Sequence, residues 1–448
     1  MSTYTSATDA DRKAMLDAIG VGSLEELFDE IPAAVRLDRP LDLPAGMSES
    51  EVFDHLSGLA ARNRHADSEV TFLGAGMYDH YVPALIDSIL SRSEFLTPYT
   101  PYQPEISQGG LQVMFEFQTA ISELTGLPIS NASVYEGPSA VAAAGYLAKQ
   151  ETKRSKLVVS RGLHPHSRET LATHAAGYRM TVEEGGLDAE GATDIEALAD
   201  LVDDDTAAVF VQQPNFLGTV EELGALGEAA KRTGALFVVA ADPLPLGILK
   251  APGELGADIC VGEGQTLGNR LDFGGPSFGF FSAAERFIRK MPGRIAGETR
   301  DVDGKRGFVL TLQTREQHIR REKATHNICT AQALNALAGV IYLSWLGKRG
   351  LVEMGELMAR RTHYAREALG LEAINAGPVV REFAVRVPDL DTLFERARAE
   401  GVNPGYRLRD TYPEYEDGLL VAITERRTKA DIDQLAHLVG AVREGVAA

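Results

Sequence analysis

Cysteine and positive charge are both scarce in this sequence. Its 448 residues include two cysteines, Cys260 and Cys329, which stand far apart and form no Cys-x-x-Cys pair. Neither a disulfide framework nor a thiolate metal site is therefore indicated, and a reducing compartment is expected. Because 44 lysines and arginines face 64 aspartates and glutamates, the formal net charge is −20. This balance argues against a nucleic-acid-binding surface, which needs clustered basic residues.

Long apolar runs and metal-ligand spacings are also missing. The N-terminus is polar and no run of about 18 apolar residues occurs, so neither a signal peptide nor a membrane span is expected and we predict a cytoplasmic protein. His164 and His166 flank Pro165 without a third ligand nearby in sequence, and His318 and His326 stand apart in a basic region. No metal site is predicted from such spacings.

The order of apolar patterns predicts three parts of the chain. Residues 1–70 are expected to form a helical arm with too few apolar residues for a core of its own, so that it wraps another surface. Residues 71–330 alternate helices with strands, and the strands at 207–212 and 236–240 are almost continuously apolar. Such strands are typical of a mainly parallel sheet covered by helices on both faces. Residues 331–448 are expected to form a connecting helix and a smaller C-terminal α/β domain.

Three stretches are predicted at the carboxyl ends of the strands, where open parallel sheets bind ligands. They are Gly137-Pro138-Ser139 at a helix start, Asp242-Pro243 after one strand and Gly262–Thr266 after the next. This layout resembles a fold-type I pyridoxal phosphate enzyme, in which an aspartate pairs with the pyridine nitrogen and a later lysine forms the imine. Here Gln265 stands at the lysine position. Asp-Pro is also an ordinary turn and Gly-Pro an ordinary helix start.

A stiff, nearly uncharged segment precedes the predicted helix at 110–125. Pro101 and Pro104 each restrict the residue before them, so the stretch from Tyr99 to Gly109 is expected to be an extended, rigid loop. Its polar side chains suit contacts with a polar ligand or a protein partner. Glu105 has a second interpretation, as a cap of the following helix. The candidate site residues of this loop are Tyr99, Tyr102, Gln103 and Glu105.

Specific motifs along the whole chain resemble the P-protein family of the glycine cleavage system. The eleven residues 99–109 carry most of the resemblance, because they are far more specific than a glycine motif. The other matching segments are 76–80 (GMYDH), 117–119 (FQT), 124–128 (LTGLP), 131–133 (NAS), 292–294 (PGR), 306–325 (RGFVLTLQTREQHIRREKAT) and 327–330 (NICT).

The resemblance implies a half-length subunit. Glycine decarboxylase of this family occurs as one long chain or as two subunits, and the present length matches the first, or α, subunit. In the family the β subunit carries the lysine and the pyridoxal phosphate, so no cofactor is expected here; Gln265 agrees with this and Asp242 is expected to be vestigial. The implied partners are the β subunit, in an α2β2 assembly, and lipoylated H-protein.

The implied reaction is glycine decarboxylation with transfer of the aminomethyl group to the lipoyl disulfide of H-protein. Tyr99, Tyr102, Gln103 and Glu105 are assigned by the resemblance to the α side of a site shared with β. The basic run Arg315, Arg320, Arg321 and Lys323 is the candidate surface for H-protein. Two alternatives stay open: a scaffold that only stabilises β, and an independent pyridoxal phosphate decarboxylase or desulfurase. The latter needs a lysine that this chain does not place correctly.

Overall fold

The computed structural model describes residues 6–329 and 331–447, in two compact units, Met1–Arg64 and His65–Ala448. The first unit contains helices α1 (Asp9–Ile19) and α2 (Glu49–Ala60). Both begin with a capping box, in which Thr8 or Ser48 exchanges hydrogen bonds with the residue three positions later. Neither helix buries a side chain, as the low apolar content of the predicted arm leads one to expect.

A seven-stranded sheet forms the centre of the second unit. Its strands are β2 (Ile129–Ser130), β3 (Lys156–Ser160), β4 (Thr181–Gly185), β5 (Thr206–Gln213), β6 (Leu236–Ala241), β7 (Ile259–Glu263) and β8 (Gly279–Ala283). The spatial order is β2-β8-β7-β6-β5-β3-β4. Strands β4, β3, β5, β6 and β7 run parallel, whereas β8 is antiparallel to both β7 and β2. The predicted mainly parallel sheet is thus confirmed.

Helices cover both faces of this sheet. Alternate residues of β5 point to opposite sides: Val209 and Val211 join one apolar cluster, and Phe210 joins the other. The first cluster includes α5 (Gln108–Thr125) and the start of α11 (Ala333–Leu369), while the second includes α6 (Gly137–Thr152) and α7 (Pro165–Gly177). The remaining helices between the first unit and β7 are α3 (Ala84–Leu90), α4 (Ser93–Leu96), α8 (Ile195–Asp200) and α9 (Leu223–Lys231). Burial on both faces explains why these strands are almost wholly apolar.

An antiparallel hairpin occurs where the sequence predicts only a polar, basic region. Strands β9 (Ile295–Arg300) and β10 (Arg306–Thr311) pair in register, and the short helix α10 (Gln317–Arg320) follows them. One face of the hairpin is buried through Ala296, Phe308 and Leu310, which pack against α5. Charged residues share this face toward the tip of the hairpin, where Glu298 is paired with Phe308 and Arg300 is paired with Arg306. The buried face is therefore not evident as a regular apolar alternation in the sequence.

The C-terminal part contains a three-stranded antiparallel sheet. Strands β11 (Glu382–Arg386), β13 (Tyr406–Arg407) and β14 (Gly418–Ala422) pair in the order β11-β14-β13, with helices α12 (Leu390–Ala399) and α13 (Lys429–Ala447) nearby in sequence. Helix α11, predicted as two helices, runs from residue 333 to 369 across one non-helical residue, Gly347. The predicted start of the first of these helices, Thr330, lies outside the described residues.

A short strand, β1 (Val70–Thr71), joins the beginning of the second unit to its C-terminal part by pairing in parallel with β12 (Val402–Asn403). Residues 65–70, which the sequence places in the arm, therefore lie in the second unit. Within the described ranges, no helix combines the length and the apolar character that crossing a membrane requires.

Candidate functional site

The sheet edge brings the predicted ligand-binding stretches together. The amide of Gly137, at the start of α6, donates to Glu263 Oε2 at 2.9 Å, and the amide of Gln265 donates to Glu263 Oε1 at 3.0 Å. Asp242, directly after β6, forms an ion pair with Arg381 at the start of β11. The predicted location of these stretches at the carboxyl ends of the strands is confirmed. Glu263 thus joins two of the stretches through their main-chain amides, whereas Asp242 pairs with an arginine outside them.

The start of α6 has no amide left for a phosphate. Glu263 takes the Gly137 amide, and the side chain of Glu136 accepts from the amide of Ser139 at 3.2 Å. Glu263 also accepts from the hydroxyl of Ser277 at 2.7 Å, and burial raises the pKa of its carboxyl group. Two carboxylates therefore occupy the donors with which a helix start binds an anion.

Gln265 is fully buried and its amide is completely used. The Oε1 atom accepts from the main-chain amide of Tyr78 at 2.9 Å, and Nε2 donates to the carbonyl oxygens of Tyr78 and Asn269 at 3.1 and 2.9 Å. An amide cannot form an imine. With carboxylates at the helix start and Asp242 paired to an arginine, the residues of this edge do not fit pyridoxal phosphate.

Arg381 and Glu382 hold the loop that carries the GMYDH motif. Glu382 accepts from the amide of Ala75 at 2.7 Å and from the hydroxyl of Tyr78 at 2.7 Å. The Arg381 guanidinium lies 3.3 Å from the centre of the Tyr78 ring, a cation–π contact. Gly76 has a φ of +105°, and a Cβ there would lie 2.5 Å from His164 Nε2. Only glycine permits this close approach.

His80 extends this buried network to the C-terminal part. Its Nε2 lies 2.6 Å from the Arg381 guanidinium and its Nδ1 lies 2.6 Å from Glu425 Oε2. Because a guanidinium only donates hydrogen bonds, Nε2 is the acceptor and Nδ1–H donates to Glu425. The neighbouring Asp79 pairs with Arg426 and Arg427. Motif residues that are far from the C-terminus in sequence are thus fixed by C-terminal charges.

Replacing Glu382 by glutamine is expected to flatten part of the pH dependence of stability. Burial raises the pKa of Glu382 from 4.5 to about 7. The stability contributed by the protonated carboxyl is fully present below pH 4.5 and is lost as the pH rises through about 7. A pKa that differs by one between the folded and unfolded chain changes the free energy of unfolding by about 1.4 kcal/mol. A glutamine at position 382 can still accept from the main-chain amide of Ala75 and still hydrogen-bond to the Tyr78 hydroxyl. Unlike the carboxyl group, it does not titrate.

Urea unfolding of the wild-type chain and of Glu382→Gln at several pH values between 4 and 8 checks this expectation. The wild type should lose stability relative to the variant across that range. A difference between the two that stays constant with pH would contradict it.

The extended loop before α5 presents its candidate residues to solvent. Tyr99 is 84% exposed, Tyr102 is 47% exposed, and Gln103 and Glu105 are also exposed. Within the described ranges, no hydrogen bond joins any of the four to Asp242 or Gln265. We call residues 99–106 the aromatic loop. It is anchored by Gln108, whose side chain donates to the carbonyls of Pro104 and Phe308 at 2.7 and 2.9 Å.

Glu105 does not cap α5. The helix begins at Gln108 without a side-chain cap, and residues 104–106 form a separate 3-10 turn. The carboxylate has no hydrogen-bond partner in the part of the chain that the structure describes. The cap interpretation is therefore wrong, because the turn ends the extended segment before the helix starts.

The aromatic loop contacts residues on both sides of the hairpin in sequence. The rings of Tyr102 and His318 meet edge to face with their centres 5.6 Å apart, and the Arg294 guanidinium lies 5.8 Å from the Tyr102 ring. We call residues 315–323 the basic segment. Arg315 is buried and donates to main-chain carbonyls, including that of Gly293 at 3.1 Å. It is therefore not available for docking, whereas Arg320, Arg321 and Lys323 are exposed.

The histidines considered as metal ligands have other partners. His164 Nε2 bonds to the carbonyl of Ala75 at 2.9 Å, while its Nδ1 accepts from the amide of His166. Burial lowers the pKa of His164 to about 4, so the ring is neutral. Among the described residues, no three His, Cys, Asp or Glu side chains are grouped as a metal would require.

The family model of the glycine cleavage system P-protein matches residues 2–439. The chain belongs to the P-protein family. A relative in Carboxydothermus hydrogenoformans, named probable glycine dehydrogenase (decarboxylating) subunit 1, is 50% identical, covering 98% of this chain and 100% of the relative. A protein of the same name in Halalkalibacterium halodurans is 48% identical, covering 98% of each chain.

Solved structures agree with this family. One of them is a crystal structure of glycine decarboxylase (P-protein) of the glycine cleavage system, in inhibitor-bound form. It is 42% identical to the present chain with a TM-score of 0.88, and the match covers 98% of the present chain and 100% of the solved one. A NifS-like protein shares only the fold, with 13% identity and a TM-score of 0.62 over 84% of this chain and 99% of its own. The predicted fold-type I architecture and the family resemblance are both confirmed.

The sequence did not predict which residues pair with the side chains at the sheet edge and with the GMYDH loop. Arg381, Glu382 and Glu425 reach the GMYDH loop across more than 300 positions. One signal was available: Arg381 and Glu382 are adjacent charges at the start of an otherwise apolar strand. Charges that enter a buried strand are expected to be paired.

Proposed function

We propose that this chain is the α subunit, or subunit 1, of a two-subunit glycine dehydrogenase (decarboxylating). The near-complete mutual coverage with relatives of that name supports the subunit assignment. The observation that carries the proposal is Gln265, which is fully buried and fully bonded directly after β7, where the resemblance to fold-type I enzymes places the lysine. In the proposed assembly a second chain supplies the lysine and the cofactor.

In the proposed division of work, the β subunit holds pyridoxal phosphate, which supplies an electron sink for the decarboxylation of glycine. Lipoylated H-protein then receives the aminomethyl group, and the assembly is α2β2. This chain contributes the aromatic loop. Its phenols and amide project from a segment stiffened by two prolines and anchored by Gln108, with their polar groups facing solvent. Tyr99, Tyr102, Gln103 and Glu105 are thus suited to position groups in a site across an interface.

The arm of the first unit is proposed to pack on the β subunit. Its side chains include Phe28, Val35, Leu43 and Phe53, which are between 49% and 74% exposed. Exposed apolar surface of this kind is characteristic of interfaces. The cytoplasmic location expected from the sequence stays a prediction.

Purification of the chain alone and with its β subunit tests the proposal. The isolated chain mixed with pyridoxal phosphate is expected to show no imine absorption band, whereas the co-purified assembly shows the band and exchanges glycine carboxyl with CO2. Gln265→Lys alone should not create the band, because Glu263 still occupies the start of α6 and Asp242 is still paired. A band from the isolated wild-type chain would overturn the proposal in favour of an independent enzyme.

The exposed part of the basic segment is the proposed docking surface for H-protein. Reversing Arg320, Arg321 and Lys323 to glutamate is expected to weaken H-protein binding by about tenfold at low salt, and less at high salt. The matched control reverses three exposed charges on α11, Lys348, Arg349 and Arg360, to glutamate, which changes the net charge by the same amount. Surface plasmon resonance at two salt concentrations measures the difference. Equal effects of both changes would argue against this surface.

A further inference from the structure

Two glutamines of α5 bind the main chain of the hairpin β9–β10 in the same way. The side chain of Gln118 accepts from the amide of Ala296, on β9, at 2.8 Å and donates to the carbonyl of the same residue at 3.0 Å. The side chain of Gln108 accepts from the amide of Phe308, on β10, at 2.8 Å and donates to its carbonyl at 2.9 Å. Each glutamine thus forms the two hydrogen bonds that a residue of a neighbouring strand would form.

Apolar packing joins the same two elements. Leu111 and Met114, which lie between the two glutamines along α5, are buried in one cluster with Ala296, Phe308 and Leu310. The hairpin is therefore fixed to α5 by an apolar core and by hydrogen bonds at both of its strands. A group that is bonded to the hairpin is in turn held in a defined position relative to α5.

Gln108 forms a third hydrogen bond, which leads into the aromatic loop. Its Nε2 also donates to the carbonyl of Pro104 at 2.7 Å, so both N–H bonds and the oxygen of the side-chain amide are used. Within the described residues, Gln118 forms no hydrogen bond with the loop. Gln108 is therefore the glutamine that joins the aromatic loop to β10.

The hairpin also contacts the loop at Tyr102. Arg294, directly before β9, is 6% exposed, and its guanidinium lies over the Tyr102 ring, 5.8 Å from the ring centre. The main chain of Arg294 is fixed, because its carbonyl accepts from the amide of Ala132 at 2.8 Å. The carbonyl of Pro292 accepts from the Asn131 side chain at 3.0 Å. Contacts at two separate points determine the direction of the loop as well as its position.

We propose that Gln108 is a positioning residue, which fixes the aromatic loop on the hairpin so that Tyr102 and Gln103 reach the proposed shared site. Arg294 holds the Tyr102 ring in the same orientation. This inference rests on the proposed function, in which the loop acts on a site of another chain. Such a loop needs a fixed geometry, because a displacement of about 1 Å can slow a reaction by about 100-fold.

Glycine–CO2 exchange by the assembled enzyme tests the inference. Gln108→Ala should lower kcat by about tenfold and leave both KM for glycine and the pyridoxal phosphate content of the assembly unchanged. Gln118→Ala is the matched control, because it removes the same pair of hydrogen bonds from the other strand of the hairpin. It should keep kcat within about twofold of the wild type. Equal losses of kcat would show a general effect of hairpin stability and overturn the inference.

A double-mutant cycle separates this inference from the proposed function. In an enzyme that already carries Tyr102→Phe and Gln103→Ala, Gln108→Ala should slow glycine–CO2 exchange by less than about threefold, since the groups that it positions are lost. An undiminished tenfold loss in that background would overturn the inference alone. Full exchange by the enzyme with only Tyr102→Phe and Gln103→Ala would overturn both the inference and the proposed role of the loop.

Gln108→Glu separates the bond to the loop from the bond to the strand. The carboxylate can still accept from the amide of Phe308, but it cannot donate to the carbonyl of Pro104. Its kcat should therefore fall about as far as that of Gln108→Ala. An unchanged kcat for Gln108→Glu would show that the Pro104 contact does not position the loop, and would overturn the inference.

Amide hydrogen exchange in the isolated chain supplies a readout that does not depend on activity. In Gln108→Ala the amide of Phe308 loses its acceptor, so it should exchange about tenfold faster than in the wild type. In Gln108→Glu this amide should stay protected, whereas the amides of residues 102–107 should exchange faster in both variants. Wild-type exchange rates throughout the loop in both variants would overturn the inference.

Discussion

Tyr102→Phe in the assembled enzyme is expected to slow glycine–CO2 exchange by about 10-fold to 100-fold, because under the proposed function it would remove one hydrogen bond to a charged group in the proposed shared site. Gln103→Ala should have an effect of the same order. Both side chains are exposed in this chain and support no part of its own core. Their loss should therefore change turnover without changing stability.

The control for these variants is Gln112→Ala. Gln112 is an exposed glutamine nine residues after Gln103, and its side-chain amide donates to Glu116 on the same helix. It should retain full exchange. Size-exclusion chromatography must show that each variant still assembles with the β subunit. Full exchange by assembled Tyr102→Phe and Gln103→Ala would favour a scaffold that only stabilises its partner.

Arg381→Met is expected to destabilise the isolated chain by about 3–5 kcal/mol. The guanidinium is 2% exposed, pairs with Asp242, bonds to His80 and covers the Tyr78 ring. Removing one partner of a buried ion pair leaves the other charge without compensation. Adding Asp242→Asn should recover part of the loss, since the uncompensated carboxylate is then absent.

Arg386→Met, on the same strand, is the matched control. Arg386 pairs at the surface with Asp417 at 2.6 Å, and its side chain is 34% exposed. Exposed pairs contribute about 0–1 kcal/mol. Urea unfolding followed by circular dichroism compares the two arginines. If Arg381→Met were as mild as Arg386→Met, the buried network would not stabilise the GMYDH loop.

The sheet and its covering helices were predictable because their residues follow simple periods. The apolar runs of β5 and β6 and the apolar stripe of α5 each reflect local geometry. The hairpin β9–β10 was not predictable in this way, since Ala296, Phe308 and Leu310 share one face with charged residues and no regular apolar alternation results. Similarly, the anchoring of the aromatic loop by Gln108 depends on a strand 200 positions away.

The candidate site was predictable only in part. Gln265 and Asp242 could be placed at the sheet edge, because strand ends define that edge. Their partners could not, because Arg381 comes from a different part of the fold and nothing in the sequence pairs Glu263 with the start of α6. Long-range pairs between charges leave no period in a sequence.

Glu263 at the start of α6 limits how this sheet edge can be changed. A lysine in place of Gln265 would bury an ammonium group, while removing Glu263 first would leave the Gly137 amide and the Ser277 hydroxyl without their acceptor. Separating Asp242 from Arg381 would leave the buried charge of Arg381 without its ion-pair partner. Each of these single changes is expected to lower stability. Turning this sheet edge into a cofactor site would therefore require several substitutions made together, not one at a time.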